Sequence, residues 1–309
     1  MREIRQPDDK YSYVFGPNPE PIAHVAIGES VTIFTVDAFG NDLTSESQKP
    51  SEVQGPYLNP QTGPIYIDGA EPGDTLVVNI DKIEATRDWA VSALVPFFGG
   101  LTSTRWTPSL QPALEERVWI YHRTERNTYA WKDRWEVPWA PFYGTMGTAP
   151  AIESISSLSP GDHGGNMDVP DVTEGHTLYF PVHHPGALFY LGDAHAAQGQ
   201  GELCGVALEI AAKGTLRFDV LKGLPTTWPR IESSTELMSV GSARPMEDAA
   251  RIAYADLIAW IVRDYGFDPL DAYQLLTQLG KCYVGNMVDT TYSLVAKVSK
   301  DVLRPVTTG

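Results

Sequence analysis

Residues 59–80, NPQTGPIYIDGAEPGDTLVVNI, set turn chemistry against short β-branched runs: Thr62-Gly63-Pro64, then Asp68-Gly69, then Glu71-Pro72-Gly73-Asp74. Breakers this close together leave no room for a helix. They mark tight β-turns joining sheet strands, not a flexible linker. Most of the chain keeps the same habit, and its 27 glycines and 24 prolines supply the punctuation. Clear strand candidates are residues 31–37, 76–80, 177–182, 203–212 and 216–221. In 31–37 the period of two puts Val31, Ile33, Thr35 and Asp37 on one face, so Asp37 ends a strand on a partly apolar side.

The habit changes near the C-terminus. Tyr254, Leu257, Ile258, Ile261, Val262 and Tyr265 recur at helical spacing, Pro245, Glu247 and Asp248 favour a start, and Gly266 supplies a stop. A helix over 246–265 is predicted. A second follows Asp268, an N-cap with Pro269 behind it, and its apolar stripe is Ala272, Leu275, Leu276 and Leu279 before Gly280. Between 88 and 139 lie six of the eight tryptophans, mixed with Arg, Glu and Tyr, and neither period can be read. That stretch is expected to leave the β framework, either as aromatic core packing or to line a pocket or an oligomer contact.

The expected fold is therefore α+β and predominantly β: antiparallel sandwich-like or jelly-roll-like sheets with a C-terminal helical hairpin packed on them. With 309 residues, one compact unit is expected, with sub-parts 1–84, 85–244 and 245–309 divided at turn-rich points.

Charge narrows the partners. The chain carries 39 acidic against 23 basic residues, a net of -16, with no Lys/Arg cluster, so nucleic acid and anionic membrane surfaces are excluded as expected partners. The opening MREIRQPDDKYSYVFG puts charges where a signal peptide needs an apolar core, and no apolar run is long enough to span a bilayer, so a soluble, cytoplasmic protein is expected. Cys204 and Cys282 are the two cysteines and are expected as free thiols.

The richest stretch for chemistry is 181–209, PVHHPGALFYLGDAHAAQGQGELCGVALE, which packs Asp193, His195, Gln198, Glu202 and Glu209 among glycines and alanines. If 192–195 is extended, Asp193 and His195 project to one side, as a carboxylate and an imidazole sharing a cation would. Residues 198–202 would then be a loop presenting an amide and a second carboxylate. Alone, an Asp-x-His pair serves turns and hydrogen bonds more often than metals. His183 and His184 point oppositely on a strand, so at most one joins that face. A second polar cluster, GDHGGNMD at 161–168, surrounds Gly164 and Gly165 with His163, Asn166 and Asp168; positive φ there would expose amide donors, and an ordinary Asx-rich turn is the competing reading.

Absences also count. The sequence has no HExxH, GxSxG, P-loop or GxGxxG motif, and Ser154, Ser156 and Ser157 lack the Gly-rich setting and Lys of a Ser-Ser-Lys amidase. Cys204 falls in a strand expected to be buried, and Cys282 follows a Lys with no His nearby, so neither suits a nucleophile. The residues alone specify a metal-assisted or carboxylate-assisted hydrolase of unspecified substrate, against the alternative of a catalytically silent β-rich binding protein.

Two long elements go further. Residues 59–80 resemble the N-P-x-T-G-P-I-x-[IV]-x-G-A-x-P-G-D element of the acetamidase/formamidase family, and PGALFYLGDAHAAQGQGELCGVALE at 185–209 resembles its G-A-L-x-x-G-D-x-H-A-x-Q-G-x-G-E element. TVDAF at 35–39, YGTMGTAP at 143–150, HGGNMDVPDV at 163–172 and AYQLLTQLGKCYVGNMVD at 272–289 extend the likeness over nearly the whole chain. The resemblance implies a β-rich α+β enzyme that hydrolyses formamide, acetamide or a related small amide, often as a homo-oligomer, with a divalent metal such as zinc at its site. Carried over by position, Asp37, His163, Asn166, Asp168, Asp193, His195, Gln198, Glu202 and Glu209 hold the polar places of the matching motifs. Asp193 and His195 are expected to ligate the metal with Asp37 as a third ligand, and Glu202 is expected to be the general base. Asn166 and Gln198 are expected beside the reacting amide, with the N–H groups of Gly164 and Gly165 or the Asn166 amide holding the oxyanion, and His163, Asp168 and Glu209 around them. The paired histidines of PVHHPG and the Trp-rich middle depart from the family pattern, which leaves a cyclic amide such as a γ-lactam open as substrate.

Overall fold

The structure is a computed structural model that describes residues 1–53, 55–95, 98–101 and 115–304. Among these residues two large sheets, one of nine strands and one of ten, enclose a common core. The first runs Arg2–Ile4, Ser30–Thr35, Ala212–Leu221, Thr75–Ala85, Thr177–Pro181, Arg230–Glu232, Glu236–Ala243, Tyr292–Ser299, Lys281–Asn286. The second is centred on Phe189–His195, which pairs with Phe142–Gly147 on one side and with Gln61–Asp68 and Glu209–Ile210 on the other. Nearly all pairings are antiparallel; the N-terminal strand Arg2–Ile4 pairs in parallel with Ser30–Thr35, and Ala23–Ala26 with Gln61–Asp68. Phe189 of one sheet meets Phe218 of the other edge to face, with ring centroids 5.0 Å apart, and buried Ile33, Leu76, Ile65 and Leu191 fill the layer between. The expected β sandwich with a helical hairpin is the architecture found.

The alternation read at 31–37 holds through Ser30–Thr35, where Val31, Ile33 and Thr35 are buried, and Asp37 lies just past the strand's end. The boundary expected at residue 84 falls inside Thr75–Ala85, which pairs along its length with Ala212–Leu221. The strand expected over 203–212 is a correction. Residues 203–208 form turns and loop, and extended pairing resumes only at Glu209–Ile210, in the second sheet. After Ala211 the chain enters Ala212–Leu221 in the first sheet. A run of small apolar residues fits a crossover between two buried layers as well as it fits one buried strand, which is why periodicity misjudged it.

The Trp-rich stretch does not leave the β framework. Trp89–Leu94, Arg117–Arg123, Thr128–Trp131 and Trp135–Pro138 form an antiparallel meander that extends the second sheet, while 102–114, with Trp106, lie outside the described residues. Its period was hidden because half-buried aromatics alternate with charged residues that pack on their rings: Arg87 lies 3.5 Å from the Trp89 ring centroid, and Trp131 and Trp135 pack at 4.7 Å.

Both helices form where expected, at Met246–Tyr265 and Pro269–Leu279, the second capped by Asp268 accepting from Leu270 N–H. The longer one lies on Glu236–Ala243 so closely that a Cβ at Gly241 would sit 2.1 Å from Ala249 O. Among the described residues no helix is long and apolar enough to cross a membrane.

Candidate functional site

Five separate segments bring acids to one place. Phe189–His195 supplies Asp193 and His195, the following loop Glu202, Glu209 opens the next strand opposite His195, and 166–168 and 286–289 add Asp168 and Asp289. All five carboxylates are 6% exposed or less, and His195 is fully buried among them. Room for this comes from Gly144 in the neighbouring strand: a Cβ there would lie 2.5 Å from Asp168 Oδ1, 2.6 Å from Asp193 Oδ2 and 2.8 Å from His195 Cε1. Asp168, Asp193 and Glu202 all take left-handed backbone, with φ of 49°, 58° and 49°. Such φ costs an ordinary residue about 1 kcal/mol or more, and three site acids sharing it place strain at this centre.

The imidazole is oriented from behind. Gln198 Nε2 donates to Asp168 O (2.9 Å) and Gly285 O (3.1 Å), so its Oε1 must face His195 and accept from Nδ1–H at 3.0 Å. The Nε2 lone pair is thereby aimed into the acid cluster. It lies 3.3 Å from both Asp193 Oδ1 and Glu209 Oε1 and makes no hydrogen bond, while Asp168 Oδ1 and Glu209 Oε2 are also buried without a partner. Asp193, His195 and Glu209, and likewise Asp168, His195 and Glu202, offer ligand atoms within 4.8 Å of one another. Two donors held at about 2.1 Å from one tetrahedral cation sit about 3.4 Å apart. The unpaired atoms and their spacing fit a bound divalent metal.

Electrostatics agree with the geometry. Burial, reinforced by Glu202, Asp193 and Asp289, holds the Asp168 carboxyl well above the usual range. Burial pushes Glu209 up to about 7 against the pull of His195, and Asp289 up to about 8 against hydrogen bonds from Asn166 and Asn286. Glu202 is likewise raised well, chiefly by burial. Without a cation, and against the pull of burial, Glu209 and Asp193 raise His195 well above the imidazole range. Against its own burial, Asp193 is lowered by that imidazolium with neighbouring hydrogen bonds; a cation on Nε2 would take the place of the proton. Acids that cannot all ionise together are neutralised by protons or by a cation, and the unpaired donor atoms favour the cation.

A polar wall frames this centre, and of the residues that build it around the acids the sequence had singled out Asn166 but not Asn59, Thr145, Asn286 or Asp289. Asn59 Nδ2 donates to Thr145 Oγ1 and Asn166 Oδ1 (both 2.9 Å), Thr145 Oγ1 donates to Asp193 Oδ2 (3.0 Å), Asn166 Nδ2 to Asp289 Oδ2 (2.7 Å), and Asn286 Nδ2 to Asp168 Oδ2 (3.1 Å). Each of these residues lies inside a family-like motif, Asn59 in NPQTGP, Thr145 in YGTMGTAP, Asn286 and Asp289 in YVGNMVD. A polar residue inside an otherwise apolar or glycine motif was the available signal.

Other expected residues fall elsewhere. Asp37 joins neither donor group: its carboxylate is committed to Arg87 and to the N–H groups of Phe39 (2.9 Å) and Asn41 (2.8 Å). Glu209 stands where a third ligand was sought. Gly164 N–H donates to Gly161 O (3.2 Å), and the Gly164–Asn166 strand is paired to Phe142–Gly147, so these glycines lie behind the site. His163 is fully buried against Phe15, its ring nitrogens unpaired, and burial with the nearby His183 lowers it to about 4. Cys204 is half-buried in a turn, its thiol pushed up by burial, and Cys282 is exposed; both are free.

Above the acids is a cavity of about 40 Å³, lined by Asn59, Asn166, Asp193, Glu202 and Glu209 and roofed by apolar Phe39, Leu58, Phe98 and Leu158. A water needs at least roughly 10–15 Å³ measured this way, so the space suits a ligand of a few heavy atoms.

The sequence profile described as "Acetamidase/Formamidase family" matches residues 2–159 and 151–290. A formamidase of Methylophilus methylotrophus is 26% identical over 260 residues, covering 67% of this chain and 63% of its own length. The chain spans less than two thirds of the length of the curated relatives it matches. The crystal structure of an acetamidase from Yersinia enterocolitica is 43% identical and superposes with a TM-score of 0.92 over 98% of this chain and 93% of that one. A gamma lactamase from Delftia acidovorans, 18% identical with a TM-score of 0.64 over 100% of this chain and 96% of that one, shares the fold.

Proposed function

The chain belongs to the acetamidase/formamidase family, and from that premise we propose that it hydrolyses a small carboxamide to ammonia and a carboxylate. The observation that carries this reading is the cluster of buried, unpaired donor atoms, with Glu209 among them, beside a cavity sized for a few heavy atoms that Asp193, Glu202 and Glu209 line.

His195 Nε2, Asp193 and Glu209 would hold a divalent metal, zinc in the first instance, with Asp168 and Glu202 offering a second set of donors around the same imidazole. When bound, the metal supplies Lewis acidity toward the amide oxygen and makes water a better nucleophile at neutral pH. The remaining work falls to the chain. An amide resists attack because its nitrogen donates into the carbonyl and leaves badly, so a proton must be taken from water and delivered to that nitrogen. Glu202 borders the cavity and does both: its carboxylate takes the proton, and its carboxylic acid returns it to the departing nitrogen. Asn59 and Asn166 fix the cavity wall and the orientation of Asp193 through Thr145. The apolar roof excludes bulk water around the reacting group.

Ammonia release from formamide, acetamide and propionamide, together with ring opening of a γ-lactam, tests this before chelation, after it, and after zinc restoration. Activity that vanishes and returns supports the reading and ranks open-chain against cyclic amides. Persistence after verified metal removal sinks the metal role, and full activity in Glu202→Gln sinks the base.

A further inference from the structure

A second, much larger space opens beside the small cavity. It measures about 750 Å³, and Leu94, Phe98, Leu101, Tyr121, Val137 and Leu208 give it an apolar lining. Leu101 and Leu203 stand 38% and 51% exposed at its edge. The two spaces share Phe98, Glu202 and Val206, so the groove begins where the proposed base ends. Formamide or acetamide leaves such a groove unused, and an apolar hollow of this size joined to a polar reaction centre is the form of a ligand site.

We propose that the groove is an acyl subsite, and that the preferred substrates are primary carboxamides whose acyl group is an apolar chain of several carbons, the amide held over the acids and the chain lying along the groove. This rests on the hydrolase reading and deepens it. The chemistry separates along the same line: Asp193, Glu202 and Glu209 line the small cavity, Glu202 is the one acid that also lines the groove, and beyond it that lining offers mostly hydrocarbon. Only the acyl end gains from that surface, since the carboxamide needs the polar wall. Each methylene that leaves water for such a lining is worth about a fourfold gain in binding.

The test is the ratio of kcat/KM across acetamide, butanamide and hexanamide, in the unaltered protein and in Ala140→Trp and Leu101→Asp. Both substitutions sit at exposed groove positions away from the acids, one filling the space and the other making it polar. Expected is a rise of about fourfold per added methylene in the unaltered protein, and a loss of about tenfold on hexanamide in each variant with acetamide turnover held within about twofold. That unchanged acetamide rate certifies the fold. Rates that fall as the chain lengthens, or a hexanamide preference that survives both variants, overturn the subsite. Silence toward every amide rejects the hydrolase reading separately. Calorimetry with hexanamide still decides the groove in that case: binding weakened by both variants supports it, and no binding or equal binding removes it.

Discussion

Two buried charged clusters in this molecule are built on opposite terms. Under the long helix, Arg230 meets Asp256 through Nε at 2.7 Å and a second nitrogen at 2.9 Å, and Ser239 and Thr227 complete the carboxylate at 2.7 and 3.2 Å. Charges cancel there, and every oxygen of Asp256 is used. At the acid cluster five carboxylates face one imidazole, donor atoms of Asp168, His195 and Glu209 go unpaired, and three backbones are left-handed. The first arrangement fastens helix to sheet; the second needs protons or a bound cation to offset its like charges.

Disturbing the two clusters should therefore cost different things. The largest effect is expected at the acids: His195→Ala, or removal of metal from the unaltered protein, lowers amide turnover about 10³-fold or more, because the Lewis acid and the activation of water are lost together. Thermal unfolding of Asp168→Asn, measured with chelator present, should show stability unchanged or higher, since the cost of burying an acid that must hold a proton there is gone. A marked loss of stability there would erase the contrast. Next in size is Asp256→Ala, which strands a buried guanidinium and costs about 3–5 kcal/mol in denaturant unfolding, with turnover per folded molecule unchanged. Replacing both partners, as in Arg230→Met with Asp256→Leu, should recover most of that loss.

How far the sequence foretold each region follows from what each depends on. The helical hairpin was legible to the residue because caps and a 3.6-residue period are local: Pro245, Gly266, Asp268 and Pro269 act on their own neighbours. Asp193, His195 and Glu202 were legible because they crowd into one motif. The proposed third ligand, Glu209, was not. Asp37 and Glu209 are both acids at strand ends within family-like motifs, and what separates them is Arg87, fifty positions from Asp37, which claims the Asp37 carboxylate. Gln198 was expected beside the substrate, yet its position behind His195 depends on the carbonyls of Asp168 and Gly285, which no local pattern reveals. The Trp-rich meander was missed for a related reason, since arginines packed on its aromatic rings blur the alternation.

Gln198 offers a finer cut through the same comparison. If it acts by fixing the tautomer of His195, Gln198→Leu should weaken metal affinity by about 10–100-fold while saturating metal restores most of the turnover. Glutamate at this position, which also accepts from Nδ1–H, should weaken binding less. Metal titration followed by turnover at saturation separates this from a direct role on the amide, in which case excess metal restores nothing.

The smallest expected effect concerns His163, which sits among site motifs and yet packs like a core residue. Its ring is buried and unpaired, and burial with His183 lowers it to about 4 from an unfolded value near 6.5. The folded protein thus keeps this ring neutral where the unfolded chain already binds a proton. Its contribution to stability is fully present above the unfolded value and is lost as pH falls toward 4. Between pH 7 and 5.5 that loss is about 1 kcal/mol. In His163→Phe, which keeps the ring against Phe15, denaturant unfolding should lose this share of its pH dependence, while turnover at pH 7 changes little. If the pH dependence is the same in both proteins, the ring is protonated or paired in the folded state, and His163 belongs with the charged centre after all.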